Sequence, residues 1–166
     1  MDRLNVLKIL IVDDSALFRQ TLKEMLQVRF PSIEIHEATD GEKARQKIKT
    51  SPPDLIFMDI NLPGENGLLL TQKIKVRYPN IIISLLTGWN LPEYREASIQ
   101  CKADYFLFKG SVTEEEIFAL VGSVLSHWKE TPGDEWIIRF PNHLPKSISA
   151  CHRLAASYRE FFQELL

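Results

Sequence analysis

Nearly unbroken aliphatic runs at 6–12, 54–58 and 81–86 leave no polar alternation that would let one face of a strand meet water. Strands of that kind are buried on both faces, as central strands of a parallel sheet are. A helical repeat follows each run. Ser15 stands as a helix cap before Phe18, Leu22, Met25 and Leu26, which recur at helical spacing to Phe30-Pro31. The segment 33–38 alternates apolar with polar and reads as an edge strand. Asp40-Gly41 then opens a polar helix to about Thr50, with Ala44 and Ile48 inward and Pro52-Pro53 behind it. After Asp59 the chain turns through Leu62-Pro63-Gly64, and Asn66-Gly67 leads a helix over 68–78. Asn90 with Pro92 starts a further helix through about Lys102, and 104–108 is the fifth strand. Thr113-Glu114-Glu115-Glu116 is a capping box, and Ile117, Leu120, Val121, Val124, Leu125 and Trp128 make one apolar stripe behind it. Five strand–helix units in strict alternation predict an α/β fold: a doubly wound, five-stranded parallel sheet with helices on both faces and right-handed crossovers.

This series fills residues 1–128, which are expected to form one domain. The remaining 129–166 make a short C-terminal extension. Residues 129–134 read as a turn or linker and 136–140 (WIIRF) as a strand. From Ser147 onward Ile148, Cys151, Leu154, Ala155, Tyr158, Phe161, Phe162 and Leu165 line one face of an amphipathic helix. About 38 residues hold no independent core, and a winged DNA-binding output needs more chain. The expected role of the extension is to pack on its own domain, to form a homodimer or to dock a partner.

Net charge of -2 and a pI near 6.1 give no bulk attraction to nucleic acid, so no direct nucleic-acid partner is expected. No apolar run is long enough to span a bilayer, and acids interrupt the N-terminal run before a signal core forms, which predicts a cytoplasmic protein without a membrane partner. Cys101 and Cys151 lack a zinc or redox spacing, and His127, His143 and His152 match no metal pattern.

The chemistry sits at the strand ends. Asp13-Asp14 follows the first strand, Asp59 the third, Thr87 the fourth and Lys109 the fifth. Ligands of doubly wound sheets bind in the crevice at the carboxyl ends of the strands, so these residues are expected to converge. An acid ending a buried strand is costly unless something pairs with it, and three carboxylates together repel one another. Magnesium answers both problems, because it takes oxygen ligands, retains waters and binds carboxylates together with phosphate oxygens. Lys109 adds a cation and Thr87 a hydroxyl donor. The pattern points to phosphoryl transfer onto a carboxylate. Taken singly, Asp13-Asp14 caps a helix, Thr87 turns a loop, Lys109 faces solvent and Phe106 fills a core; the ordered set carries the inference.

That set resembles the receiver domain of two-component response regulators over about residues 5–128. The matching features are Asp13-Asp14, the strand ending in Asp59 with Leu62-Pro63-Gly64-x-x-Gly67, Thr87-Gly88, and Phe106 three residues before Lys109. The resemblance implies a flavodoxin-like strand order, 2-1-3-4-5. It also implies a phosphoryl group taken on Asp59 from a sensor histidine kinase or a phosphotransfer protein. Asp14 would be the direct Mg ligand, Asp13 its neighbour acting through water, and the Asn61 main-chain carbonyl would complete the protein's share beside Asp59. Lys109 would clamp the phosphoryl group, and Thr87 and Phe106 would be the switch pair that repacks a surface for a downstream protein target. Such a protein is a phospho-acceptor switch and not an enzyme acting on a separate substrate. Gly110 stands where family members often carry Pro, and Phe106 has no hydroxyl. Trp89 is large for the mouth of such a site and is expected to shield an acyl phosphate from water. Two other readings are a DNA-binding regulator without its output domain and an aspartyl-nucleophile phosphohydrolase. The second would want an acid where Asn61 stands.

Overall fold

The computed structural model describes residues 6–130, with side chains to residue 126. In chain order the elements are β1 (Lys8–Val12), α1 (Ala16–Arg29), β2 (Glu34–Ala38), α2 (Gly41–Thr50), β3 (Leu55–Asp59), β4 (Asn61–Leu62) and β5 (Glu65–Asn66). After them come α3 (Gly67–Arg77), β6 (Ile82–Thr87), α4 (Pro92–Gln100), β7 (Tyr105–Phe108) and α5 (Glu114–Glu130). The main sheet has order β2-β1-β3-β6-β7 with every pairing parallel. It is the expected order 2-1-3-4-5 once the small β4–β5 hairpin is set aside. That hairpin is antiparallel, pairs Asn61 with Asn66, and stands where the sequence predicts only a turn.

The three aliphatic runs became β1, β3 and β6, the inner strands, and every residue of β3 and β6 is buried. The alternating segment became β2 at the sheet's edge, where all but Ala38 are partly exposed. One side of the sheet packs Ile9, Ile11, Leu55, Phe57, Ile82 and Leu86 against Leu22 and Leu26 of α1 and Ile117, Leu120, Val121 and Val124 of α5. That single cluster joins the first and last helices of the fold, so neither can leave without exposing the sheet to water.

Helix starts follow the sequence signals closely. Ser15, Asp40 and Asn66 each accept a main-chain N–H of the following turn, from Phe18, Lys43 and Leu68. Thr113 and Glu116 form the reciprocal box: the Thr113 N–H donates to Glu116 Oε2 at 2.9 Å and the Glu116 N–H to Thr113 Oγ1 at 3.2 Å. The exception is α4. Pro92 takes its first position, so the cap falls on Leu91, which offers no side-chain acceptor, and Asn90 lies one residue too early. This helix ends at Gln100 and not Lys102, while α5 continues to Glu130, past the expected end at Trp128. The expected strand at 136–140, the amphipathic helix from Ser147, and Cys151, His143 and His152 lie outside the described residues.

Candidate functional site

The parallel register brings the carboxyl ends of β1, β3, β6 and β7 side by side, and the predicted residues meet there. Asp13 is fully buried just past β1. Its Oδ1 accepts the Ser15 N–H at 2.9 Å and its Oδ2 accepts Lys109 Nζ at 2.5 Å. Asp59, at the last position of β3, accepts the same Lys109 Nζ at 2.9 Å on Oδ2 and the Asn61 N–H at 3.1 Å on Oδ1. One ammonium therefore bridges two buried acids. Asp14 is exposed, and its carboxylate takes no hydrogen bond or ion pair from any described residue. Carboxylate oxygens of Asp13, Asp14 and Asp59 nonetheless all lie within 4.8 Å of one another.

Electrostatics explain why this arrangement wants another cation. Burial pushes the Asp59 carboxyl above its ordinary range, and the Asp13 charge pushes the same way, against the hydrogen bond and charge of Lys109. Burial also works against the charged form of Lys109, but its bonds to Asp13 and Asp59 outweigh that and hold its pKa above the ordinary lysine value. Three acids face one lysine, and every offered donor is an oxygen. A hard divalent cation such as Mg fits this donor set, with the free Asp14 carboxylate open to it.

The loops that hold these groups are fixed by close approach. Gly67 starts α3 directly behind Asp59: a Cβ there would lie 2.0 Å from the Asp59 carbonyl oxygen, and the Gly67 N–H donates to Ile60 O at 2.8 Å. Gly64 takes φ +78 in the hairpin turn, a conformation that side chains other than glycine's resist. The Lys109 N–H donates to Thr87 O at 2.8 Å, tying the β7 end to the β6 end. Among the described residues no peptide bond is cis, so the Lys109–Gly110 bond is trans.

Thr87 is buried, and its hydroxyl is engaged with the neighbouring main chain. It accepts the Trp89 N–H at 3.0 Å and donates to Trp89 O at 3.3 Å. Phe106, on β7, is half-buried beneath the Arg95 guanidinium, 5.0 Å from its ring centroid. Trp89 is 62% exposed.

Two residues join the site that strand-end reasoning does not reach. The Phe18 ring lies 4.4 Å from Lys109 Nζ, and Arg19 Nη1 donates to Asp13 O at 2.7 Å while its Nε pairs with Glu37 at 3.4 Å. Helical spacing marks Phe18 as inward, but only the fold reveals that its neighbour is a cation.

The family described as the response regulator receiver domain matches residues 9–121, which span this acidic cluster and the sheet that carries it. The chain belongs to that family. Among relatives of the receiver, the oxygen regulatory protein NreC of Staphylococcus epidermidis is 32% identical over 115 residues, covering 69% of this chain and 53% of the relative. The aerobic respiration control protein ArcA of Escherichia coli is 35% identical over 101 residues, covering 61% of this chain and 41% of the relative. The chain spans about half the length of the curated relatives it matches. Among solved structures, the chemotaxis response regulator CheY4 of Vibrio cholerae superimposes with TM-score 0.65 at 27% identity, over 72% of this chain and 98% of that one. A CheY-like receiver from Methanospirillum hungatei gives TM-score 0.69 at 24% identity, over 76% of this chain and all of that one, a likeness of fold. Receivers are phospho-acceptor switches with an acidic Mg-binding pocket, and this chain has the acidic cluster. Among the described residues no helix is long and apolar enough to cross a membrane.

Proposed function

We propose that this receiver accepts a phosphoryl group on Asp59 from a sensor histidine kinase or phosphotransfer protein, in an Mg-dependent reaction, and signals through contacts with a downstream protein. The observation that carries the reading is the bridge from Lys109 Nζ to both Asp13 and Asp59 beside the unpaired Asp14. In the transfer a carboxylate oxygen of Asp59 forms the P–O bond as the donor's P–N bond breaks, and the departing imidazole regains a proton from solvent. Asp13, Asp14, Asp59 and the Asn61 carbonyl would hold the metal, which supplies charge neutralisation to the transferring phosphoryl oxygens. Lys109 stays in place through the step and exchanges a carboxylate oxygen for a phosphoryl oxygen. No side-chain acid follows Asp59 at the second position, since Asn61 has only an amide, which favours a stored acyl phosphate over rapid hydrolysis.

For the output, the Thr87 hydroxyl would leave its bond to Trp89 O and donate to the phosphoryl group. Phe106 would turn into the vacated space, out of its contact with Arg95, and so repack the surface around α4, β7 and α5. Residues 129–166 are the proposed extension through which that change reaches a target or a second copy.

The test is phosphorylation of the full chain by acetyl phosphate with Mg, read on a phosphate-retarding gel. The wild type is expected to shift, Asp59→Asn not at all, and Lys109→Met roughly a hundredfold more slowly, as when an oxyanion donor is removed. A phosphoprotein in Asp59→Asn would refute the assignment. Sizing the full chain and a version ending near Trp128, with and without a beryllofluoride phosphoryl mimic, tests the extension. An equal response from both removes it as the output element.

A further inference from the structure

Away from the acidic site, α2 and α3 enclose a groove of about 310 Å³ with an aliphatic floor of Ile48, Leu70 and Ile74. Cations line both sides one helical turn apart: Arg45 and Lys49 on α2, Lys73 and Arg77 on α3. The chain's net charge is -2, yet α3 carries Lys73, Lys75 and Arg77 with no acid, so the positive charge here is a local concentration. At the first turn a single carboxylate already joins the two sides: Glu65, from the β4–β5 hairpin, pairs with Arg45 Nη2 at 2.5 Å and with Lys73 Nζ at 2.9 Å. At the next turn the corresponding pair, Lys49 and Arg77, is exposed and has no acidic partner among the described residues.

The geometry points to this groove as a docking site for an acidic amphipathic peptide segment of a partner protein. Its aliphatic side chains would cover Ile48, Leu70 and Ile74, and one Asp or Glu would bridge Lys49 and Arg77 as Glu65 bridges Arg45 and Lys73. Tyr78 completes the lining beneath the Arg77 guanidinium, 5.7 Å from its ring centroid, and the aliphatic floor of Ile48, Leu70 and Ile74 calls for an occupant with aliphatic side chains, which a nucleic-acid backbone lacks. A carboxylate on an apolar segment is the chemistry that remains.

The experiment is selection of a random displayed-peptide library on the full chain, with counter-selection on a Lys49→Glu/Arg77→Glu variant. Folding of the variant is checked by its circular dichroism and by unchanged phosphorylation on acetyl phosphate. Recovered peptides are expected to combine Asp or Glu with Leu, Ile or Met. They should bind the variant at least roughly tenfold more weakly, equivalent to about 1.4 kcal/mol. Ile74→Gln, which leaves the cations in place, should weaken them as well. The inference fails if no peptide discriminates the variant, if discriminating peptides lack the acidic–aliphatic pattern, or if Ile74→Gln binds them unchanged. It also fails if single-stranded DNA binds the wild type more tightly than the peptides and is lost in the variant, because the face then serves nucleic acid.

Discussion

Replacing Gly67 by Ala adds one methyl group at the point where the start of α3 meets the end of β3. That methyl would sit 2.0 Å from the Asp59 carbonyl oxygen and 2.9 Å from the Ile60 Cα, all main-chain atoms with no rotamer to yield. A carbon–oxygen contact relaxes at about 3.3 Å, so the helix start and the strand end must separate by about 1.3 Å. Overpacking of this kind costs about 1–3 kcal/mol, and stretching the bond from Gly67 N to Ile60 O adds about 1 kcal/mol. Alanine's better helix propensity returns up to about 1 kcal/mol, leaving a net loss of about 1–4 kcal/mol. In urea, with a slope of about 2 kcal/mol per molar, that lowers the unfolding midpoint by about 0.5–2 M. The same displacement moves Asp59, and an ångström of misplacement at a reacting group costs up to about a hundredfold in rate. Urea titration followed by circular dichroism, with acetyl phosphate labelling in parallel, measures both. A midpoint within about 0.3 M of the wild type would show that α3 shifts freely and that the tight approach does not position Asp59.

Asp59→Asn is expected to be more stable than the wild type at pH 7, because burial raises the Asp59 pKa and its charge disfavours folding. Neutral Asp59 contributes its stability fully below the ordinary value of 3.8 and loses it as pH rises through the raised one, so the mutant's advantage should shrink on acidification. Urea midpoints at neutral and acidic pH read this; an advantage that grows on acidification would contradict it. Mg should raise the melting temperature of the wild type in a concentration-dependent way, by mass action on the folded state, and Asp14→Ala should remove most of that rise. Trp89→Ala should hydrolyse its acyl phosphate several-fold faster if the indole shields the site, and an unchanged rate would dispose of that role.

The features legible in the chain are those whose cause is local. The inner strands announce themselves because burial on both faces demands aliphatic side chains at every position, and Thr113 with Glu116 announces α5 because the capping box closes within one turn. Asp13, Asp59, Thr87 and Lys109 were readable as a set because a parallel sheet brings all its carboxyl ends to one edge. The β4–β5 hairpin was not readable, since two-residue strands have no periodicity and the partners of Glu65, Arg45 and Lys73, are brought to it only by the fold. Asn90 has the chemistry of a cap but the wrong place, because Pro92 sets the start of α4 through its own fixed φ. Phe18 reads as one more inward residue of α1, and nothing within that helix says its ring will face Lys109.

The hydroxyl of Thr87 has both its bonds on the main chain of Trp89, and that indole stands 62% in solvent. Any rotation of Thr87 therefore changes the surroundings of a natural fluorophore two residues away. The protein carries its own optical reporter at the proposed switch, with no dye to attach and no surface altered. Stopped-flow emission, with Trp89→Phe as the blank for signal from Trp128 and Trp136, would time the turning of Thr87 separately from the arrival of phosphate at Asp59.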